Sequence, residues 1–233
     1  FDGRAPVIDV ERARLFTESM RGSEGKPLVL RWALAMKHVA ENITVHVDDL
    51  QLLAGRCGTD SGRYGILYPE LDGDFLGENL AHLAEAEAAR IIVRPEDLAV
   101  IRDEIAPYWK GRTYHEDLNR SIPEDVRRFV YNDEHGYTSK YIVHETSSLR
   151  ASLQWVPDYE KVLTRGIAGV RADVEARLAA LDADNPEDTL DRRPFLEACL
   201  ITCDALVHWA HRHAALAREK AERETDPARR AEL

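Results

Sequence analysis

No stretch of this sequence approaches the ~20 consecutive apolar residues that span a bilayer, so a membrane-crossing helix is not expected. Cysteine is scarce. Cys57, Cys199 and Cys203 make neither a disulfide framework nor a CxxC knuckle, and they fit a reducing cytosol. Basic residues fall short of acidic ones, 31 Lys and Arg against 42 Asp and Glu. The resulting net charge of −11 argues against a nucleic-acid binder, which needs a basic face. Secretory-signal and GK[ST] phosphate-loop patterns are missing, as are repeats and low-complexity tracts. Aromatic residues make up only 7%. What is present, 44% hydrophobic and 31% charged residues in 233, describes an orderable chain. It begins at Phe1 rather than Met and ends at Leu233 inside an Ala/Glu/Arg helical pattern, so a piece of a longer protein is expected.

Hydrophobic spacing predicts helices over 9–21 and 28–44, the first ended by Gly22 and Gly25, the second entered through Pro27. Residues 50–57 read as a short buried strand or turn, and the Gly/Asp/Pro-rich residues 58–76 as an extended loop. Further helices are expected near 78–90, 95–106 and 121–131, the last with Ser121 and Glu124 as a capping box. Residues 137–145 are β-prone. The final third is the clearest. Residues 158–182 place Leu163, Ile167, Val170, Val174, Leu178 and Leu181 on one stripe at steps of three and four. Residues from 194 to 222 do the same with Leu196, Leu200, Cys203, Leu206, Val207 and Ala210. These two helices should pair antiparallel as an αα-hairpin, through Ile167, Val170, Val174, Leu200, Cys203 and Val207. Such a hairpin needs a further surface to be stable.

Several constellations could carry chemistry. His208, His211 and His213 fall within six residues, and the first two could face one metal. Trp209 and Ala210 between them suggest a packed helix with polar flanks, so an ordinary helix surface is the reading. Cys199 and Cys203 sit at i and i+4 on the apolar stripe and read as core hydrophobes. Cys57 has no identifiable base beside it and is given no role. Glu70, Asp72 and Asp74 read as a surface loop with Asx-type turns, since the length and terminal acid of an EF-hand are missing. Arg150 and Gln154 share a four-residue spacing on a short helix limited by Pro157. A guanidinium fork beside an amide can hold an oxyanion. From spacing alone, an exposed Arg and Gln on a surface helix is the preferred reading.

Six segments carry a family resemblance: RARLFTESMRGSEGKP (12–27), HVAENITVHVDDLQLLAGR (38–56), ILYPELD (66–72), EIAPYWKGRT (104–113), VPDYEKVLTRGIAG (156–169) and HAALAREKAERETDPARRAEL (213–233). In this order they resemble the N-terminal region of glycyl radical enzymes of the pyruvate formate-lyase type. PYWKG and PDYEKVL are the most specific. The resemblance covers essentially the whole of residues 1–233. It implies a mainly α fold with few short strands, the helical N-terminal portion of the family's α/β barrel.

The family's radical cysteine lies in a Cys-x-Glu loop, and its glycine in an Arg-Val-x-Gly motif. Neither motif is present, so no catalytic residue is carried onto this chain, and the radical Cys, Glu and Gly are expected outside it. Family diol dehydratases resemble Gly-His-x-x-Pro-Asp-Tyr before the long helix, where this sequence reads Leu153-Gln154-Trp155-Val156-Pro157-Asp158-Tyr159. Gln154 stands at the histidine position, with Arg150 one turn earlier. That Arg-x-x-x-Gln pattern is similar to family carbon–sulfur lyases acting on isethionate (2-hydroxyethanesulfonate), in which the two residues contact the sulfonate. A desolvated Arg finds a partner in a permanent anion. It would repel a quaternary ammonium, and in a neutral-diol pocket it would be a buried charge left unpaired. Arg150 and Gln154 are therefore the expected substrate-binding residues, with no metal site.

The resemblance also implies no bound cofactor. The glycyl radical would be installed by a separate S-adenosylmethionine/iron–sulfur activating enzyme. A homodimer when full length and a cytoplasmic location are implied too, with enclosure in a microcompartment left open. A dihydroxypropanesulfonate lyase and a hydroxyproline or diol dehydratase stay open as alternative readings of this chain, as does a helical interaction module without activity.

Overall fold

The computed structural model describes residues 7–49, 53–59, 64–71, 76, 92–126 and 157–233. It is mainly helical with few short strands. Strand β1, Val7–Asp9, pairs in parallel with β4, Tyr64–Ile66, and Val7 also bridges Ile92. Strand β2, Val45–His46, pairs antiparallel with β3, Arg56–Cys57. The helices begin with α1, Glu11–Gly22, and α2, Leu28–Asn42. Helix α3, Pro95–Val100, runs through a π turn, Ile101–Ile105, into α4, Ala106–Trp109. Helix α5 is Tyr114–Ser121 and α6 is Tyr159–Ala179. A second π turn, Asp188–Arg192, leads into α7, Arg193–Arg223, and α8, Pro227–Glu232, follows.

The core forms around α1. Its Ala13, Phe16 and Met20 recur at three and four residues, so they lie on one face, and all three are buried. Against them pack Ile8 from β1, Ala35 and Val39 from α2, Ile101 and Ile105 from the π turn, and Tyr108 and Trp109 from α4. Phe16 is completely buried between two tryptophans. The Trp32 ring meets it edge-on at 5.4 Å and the Trp109 ring lies against it at 6.0 Å, both favourable aromatic geometries. Trp109 Nε1 donates to Thr17 Oγ1 at 2.8 Å, and that hydroxyl donates to the Ala13 carbonyl at 2.6 Å, so the buried polar atoms are satisfied.

Both π turns have a common cause. Each ends two residues before a proline, Pro107 and Pro194. A proline inside a helix lacks the N–H for the i−4 carbonyl, and its ring collides with that carbonyl. A wider i→i−5 turn just upstream absorbs the conflict without ending the helix. The helix expected over 95–106 therefore continues to Trp109.

Other expectations are corrected. The 58–76 segment is not all loop, because β4 joins β1 within it. Among the described residues of the 50–57 segment, Leu53 is 88% exposed and Arg56–Cys57 form a strand. Ser121 is the last residue of α5, a helix the spacing did not announce, which Thr113 caps through a capping box with Glu116. The chain turns helical again at 124–126, after Pro123. The helix expected over 78–90 and the strand over 137–145 lie outside the described residues.

The αα-hairpin is present. Arg171 of α6 pairs with Asp204 of α7, and Ile167 and Ala168 meet Val207, His208 and His211, so the helices run antiparallel. Val174 and Cys203 are buried. Leu206 and Val207, expected inside, are 44% and 40% exposed. The reason is that α7 serves two partners. It packs along α2 as well as α6, and its enclosed residues, including Leu196, Ala198, Cys203, Ala205 and His213, follow the resultant of both contacts.

Candidate active site

Arg150 and Gln154, the substrate-binding residues expected from the sequence, lie outside the described residues, and so do Asp72 and Asp74. The description resumes at Pro157, directly downstream of Gln154. The Asp158 carboxylate accepts the Lys161 N–H at 3.0 Å, a side-chain N-cap that starts α6. The Tyr159 N–H donates to the Pro157 carbonyl at 2.8 Å. The first turns of α6 turn Tyr159, Val162 and Leu163 to solvent, Leu163 at 82% exposure.

Glu70 is not part of an exposed turn. It is buried, and its carboxylate receives the Arg12 guanidinium at 2.6 and 3.2 Å. Asp9 is equally enclosed. Its carboxylate accepts the Glu11 N–H at 2.9 Å, the Thr59 N–H at 2.6 Å and the Thr59 hydroxyl at 3.1 Å. Both acids fasten loops to the start of α1. Sequence reasoning missed both, because the partners that bury them, Thr59 for Asp9 and Arg12 for Glu70, stand 50 and 58 residues away.

The histidines do not converge. His208 and His211 are exposed beside the α6–α7 groove. His213 is buried, with Nδ1 3.0 Å from the Trp209 carbonyl and Nε2 3.0 Å from the Arg56 carbonyl. Among the described residues no group of three or more His, Cys, Asp or Glu is placed to hold a metal. The cysteines are free thiols, and burial raises the pKa of each. For Cys57 the carboxylates of Asp9 and Glu11 push it further up. A reactive cysteine needs the opposite, a lowered pKa in an electropositive setting.

The grooves among the described residues also do not suit an anion. One of about 870 Å³ between α1 and α3 carries Arg14, Arg21 and Arg94, but also Glu11, Glu18, Glu96, Asp97 and Glu104. One of about 360 Å³ between α6 and α7 holds Arg171, which is paired with Asp204. No helix among the described residues is long and apolar enough to cross a membrane.

Comparison with known proteins gives the family. Over all 233 residues the chain is 56% identical to isethionate sulfite-lyase of Oleidesulfovibrio alaskensis, spanning 28% of that protein's length. Over 231 residues it is 33% identical to trans-4-hydroxy-L-proline dehydratase of Clostridioides difficile, covering 98% of this chain and 28% of the relative. The structure superimposes on a glycyl radical enzyme from Archaeoglobus fulgidus with a TM-score of 0.81 at 31% identity, over 98% of this chain and 28% of that one. The sequence model for pyruvate formate lyase-like proteins matches residues 2–233, and the chain belongs to that family.

Proposed function

We propose that this chain is the N-terminal portion of a glycyl radical carbon–sulfur lyase that cleaves isethionate to acetaldehyde and sulfite. The observation that carries the reading is the 56% identity to an isethionate sulfite-lyase along the entire chain, against 33% to the hydroxyproline dehydratase. Arg150 and Gln154 hold the sulfonate, the Arg through a charge-assisted fork and the Gln through its amide.

The chemistry balances as follows. A thiyl radical on a cysteine outside this chain abstracts hydrogen from the hydroxyl-bearing carbon. The hydroxyl proton passes to a glutamate, also outside this chain. The C–S bond breaks, sulfite leaves with the electron pair and a formylmethyl radical remains. It recovers hydrogen from the cysteine and becomes acetaldehyde. Arg150 and Gln154 bind the leaving group throughout, so they favour cleavage on the sulfonate side. The radical is installed by a separate activating enzyme, the full-length protein is a dimer, and the location is cytoplasmic.

The test is turnover by the full-length, radical-activated enzyme. Arg150→Ala should cost roughly 2–5 kcal/mol in kcat/KM on isethionate, because it removes an ionic fork. Gln154→Ala should cost about 1–2 kcal/mol, since a neutral amide supplies one weaker contact. Near wild-type kcat/KM for Arg150→Ala with intact radical content refutes the assignment. Preference for a carboxylate substrate such as hydroxyproline over isethionate refutes the substrate.

A further inference from the structure

By its spacing Leu163 belongs inside the α6–α7 hairpin. It stands four residues before Ile167 on the stripe that continues through Val170 to Val174, and Val174 is buried. In the structure Leu163 is instead 82% exposed. The cause lies between Leu163 and Ile167. Gly166 sits at φ +65° and ψ 177°, a backbone region open in practice only to glycine, so α6 is kinked there and its two halves lose their common stripe. A Cβ at Gly166 would meet no atom within 4 Å, so dihedral angles rather than space call for glycine.

The kink is held by charge. Arg165 donates to both carboxylate oxygens of Asp173 at 2.5 and 2.8 Å, and Lys161 Nζ stands 3.5 Å from the same carboxylate. Upstream, the Asp158 cap fixes where the segment 159–165 begins. The large apolar side chains of this segment, Tyr159, Val162 and Leu163, fall at i, i+3 and i+4, so they share one face. All three are exposed. A single exposed apolar side chain is ordinary. A shared face of three, turned out of the hairpin by a fixed kink, marks a contact surface.

Length and area identify what covers it. The chain spans 28% of the length of the isethionate sulfite-lyase it matches, so most of a full-length relative lies outside these 233 residues. Three side chains fall far short of the roughly 20–30 residues a side that form a stable interface between separate molecules. A segment of the same polypeptide needs no such area, because its tether already gives it a high effective concentration. We propose that the face of Tyr159, Val162 and Leu163 is a docking surface for the part of the polypeptide beyond residue 233, which meets it through an apolar surface of its own, and that the Gly166 kink presents it. The proposal does not depend on which substrate the enzyme takes.

The experiment uses the full-length protein with Leu163→p-benzoylphenylalanine, a photo-crosslinking side chain, read by denaturing gel and by mass spectrometry of the digest. The expected product has the mass of one chain and joins position 163 to a peptide beyond residue 233. A product with the mass of two chains puts a second copy on this face and overturns the proposal. Crosslinks confined to residues 1–233, or none at all, overturn it too. Adding Gly166→Ala should lower the crosslink yield about threefold or more, since alanine does not hold that backbone conformation, and an unchanged yield overturns the part given to the kink. Should the crosslinking variant fail to fold, Leu163→Cys takes its place. A maleimide should then label Cys at this position about tenfold more slowly in the native full-length protein than in denaturant, and labelling at the denatured rate overturns the proposal.

Discussion

Arg12 and Glu70 meet as a forked ion pair, 2.6 and 3.2 Å between donor and acceptor, across 58 residues of sequence. The Arg12 guanidinium also lies over the rings of Phe16 and Tyr68, at 4.8 and 4.1 Å, and donates to the Leu67 carbonyl at 3.3 Å. Cation–π contact and the fork satisfy the charge from several sides. The pair is what binds the 64–71 segment to α1.

Removing one partner strands a buried charge. Glu70→Ala should therefore destabilise this region by roughly 3–5 kcal/mol, and the double change Arg12→Leu with Glu70→Leu by less. Hydrogen exchange of the 64–71 amides in the full-length protein reads the local opening directly. Equal protection in Glu70→Ala and wild type would contradict this.

Thr17 links Trp109 to the backbone of α1, and its hydroxyl both accepts and donates. Thr17→Val keeps the shape and deletes the acceptor, leaving the indole N–H unpaired at a cost of about 1–3 kcal/mol. Thr17→Ser should retain most of the stability. Chemical denaturation of the two variants against wild type ranks them, and equal loss from both would show that packing, not the hydrogen bond, matters.

The thiols should be slow nucleophiles. Burial holds Cys57, Cys199 and Cys203 above their ordinary pKa, so little thiolate forms near pH 7. Mass spectrometry after brief exposure to iodoacetamide should find these three sites unmodified until the protein is denatured. Rapid native labelling of Cys57 would instead mark it as reactive.

Two carboxylates give the pH response a sign. Arg165 holds Asp173 below the ordinary carboxylate pKa, with Lys161 adding to it. The Asp182 N–H and then Arg192 do the same for Asp188 at the hairpin turn. A lowered folded pKa means the stabilisation is present above the unfolded value and is lost as pH falls through the folded one. Both turns should thus stay closed at neutral pH and loosen only below about pH 4. Amide exchange at Asp182 and Arg165 across a pH series checks this after correction for intrinsic rates. Loosening that begins near pH 6 would assign it to other groups.

The sequence was most legible where its signals are local. The three-and-four spacing of α1 announced its buried face, and the paired stripes of α6 and α7 announced the hairpin. It misled where distant partners decide. Leu206 and Val207 match the hairpin stripe, yet α2 draws α7 into another rotation. Glu70 sits among loop-forming residues, and only Arg12 explains its burial. Arg150 and Gln154 rest on family likeness rather than on spacing.

Helix α7 reaches back to the first quarter of the chain by backbone-directed bonds. Arg212 donates to the Ala40 carbonyl at 2.9 Å and Lys220 to that of Val47 at 2.5 Å, across 172 and 173 residues. During synthesis, at about 5–20 residues per second, α2 is complete roughly 10–35 s before these partners are made. For that interval its α7-facing side has no native cover, and chaperones have time to find it. Slowing translation between residues 50 and 200 should lengthen that exposure and lower the soluble yield without changing a single contact in the finished protein.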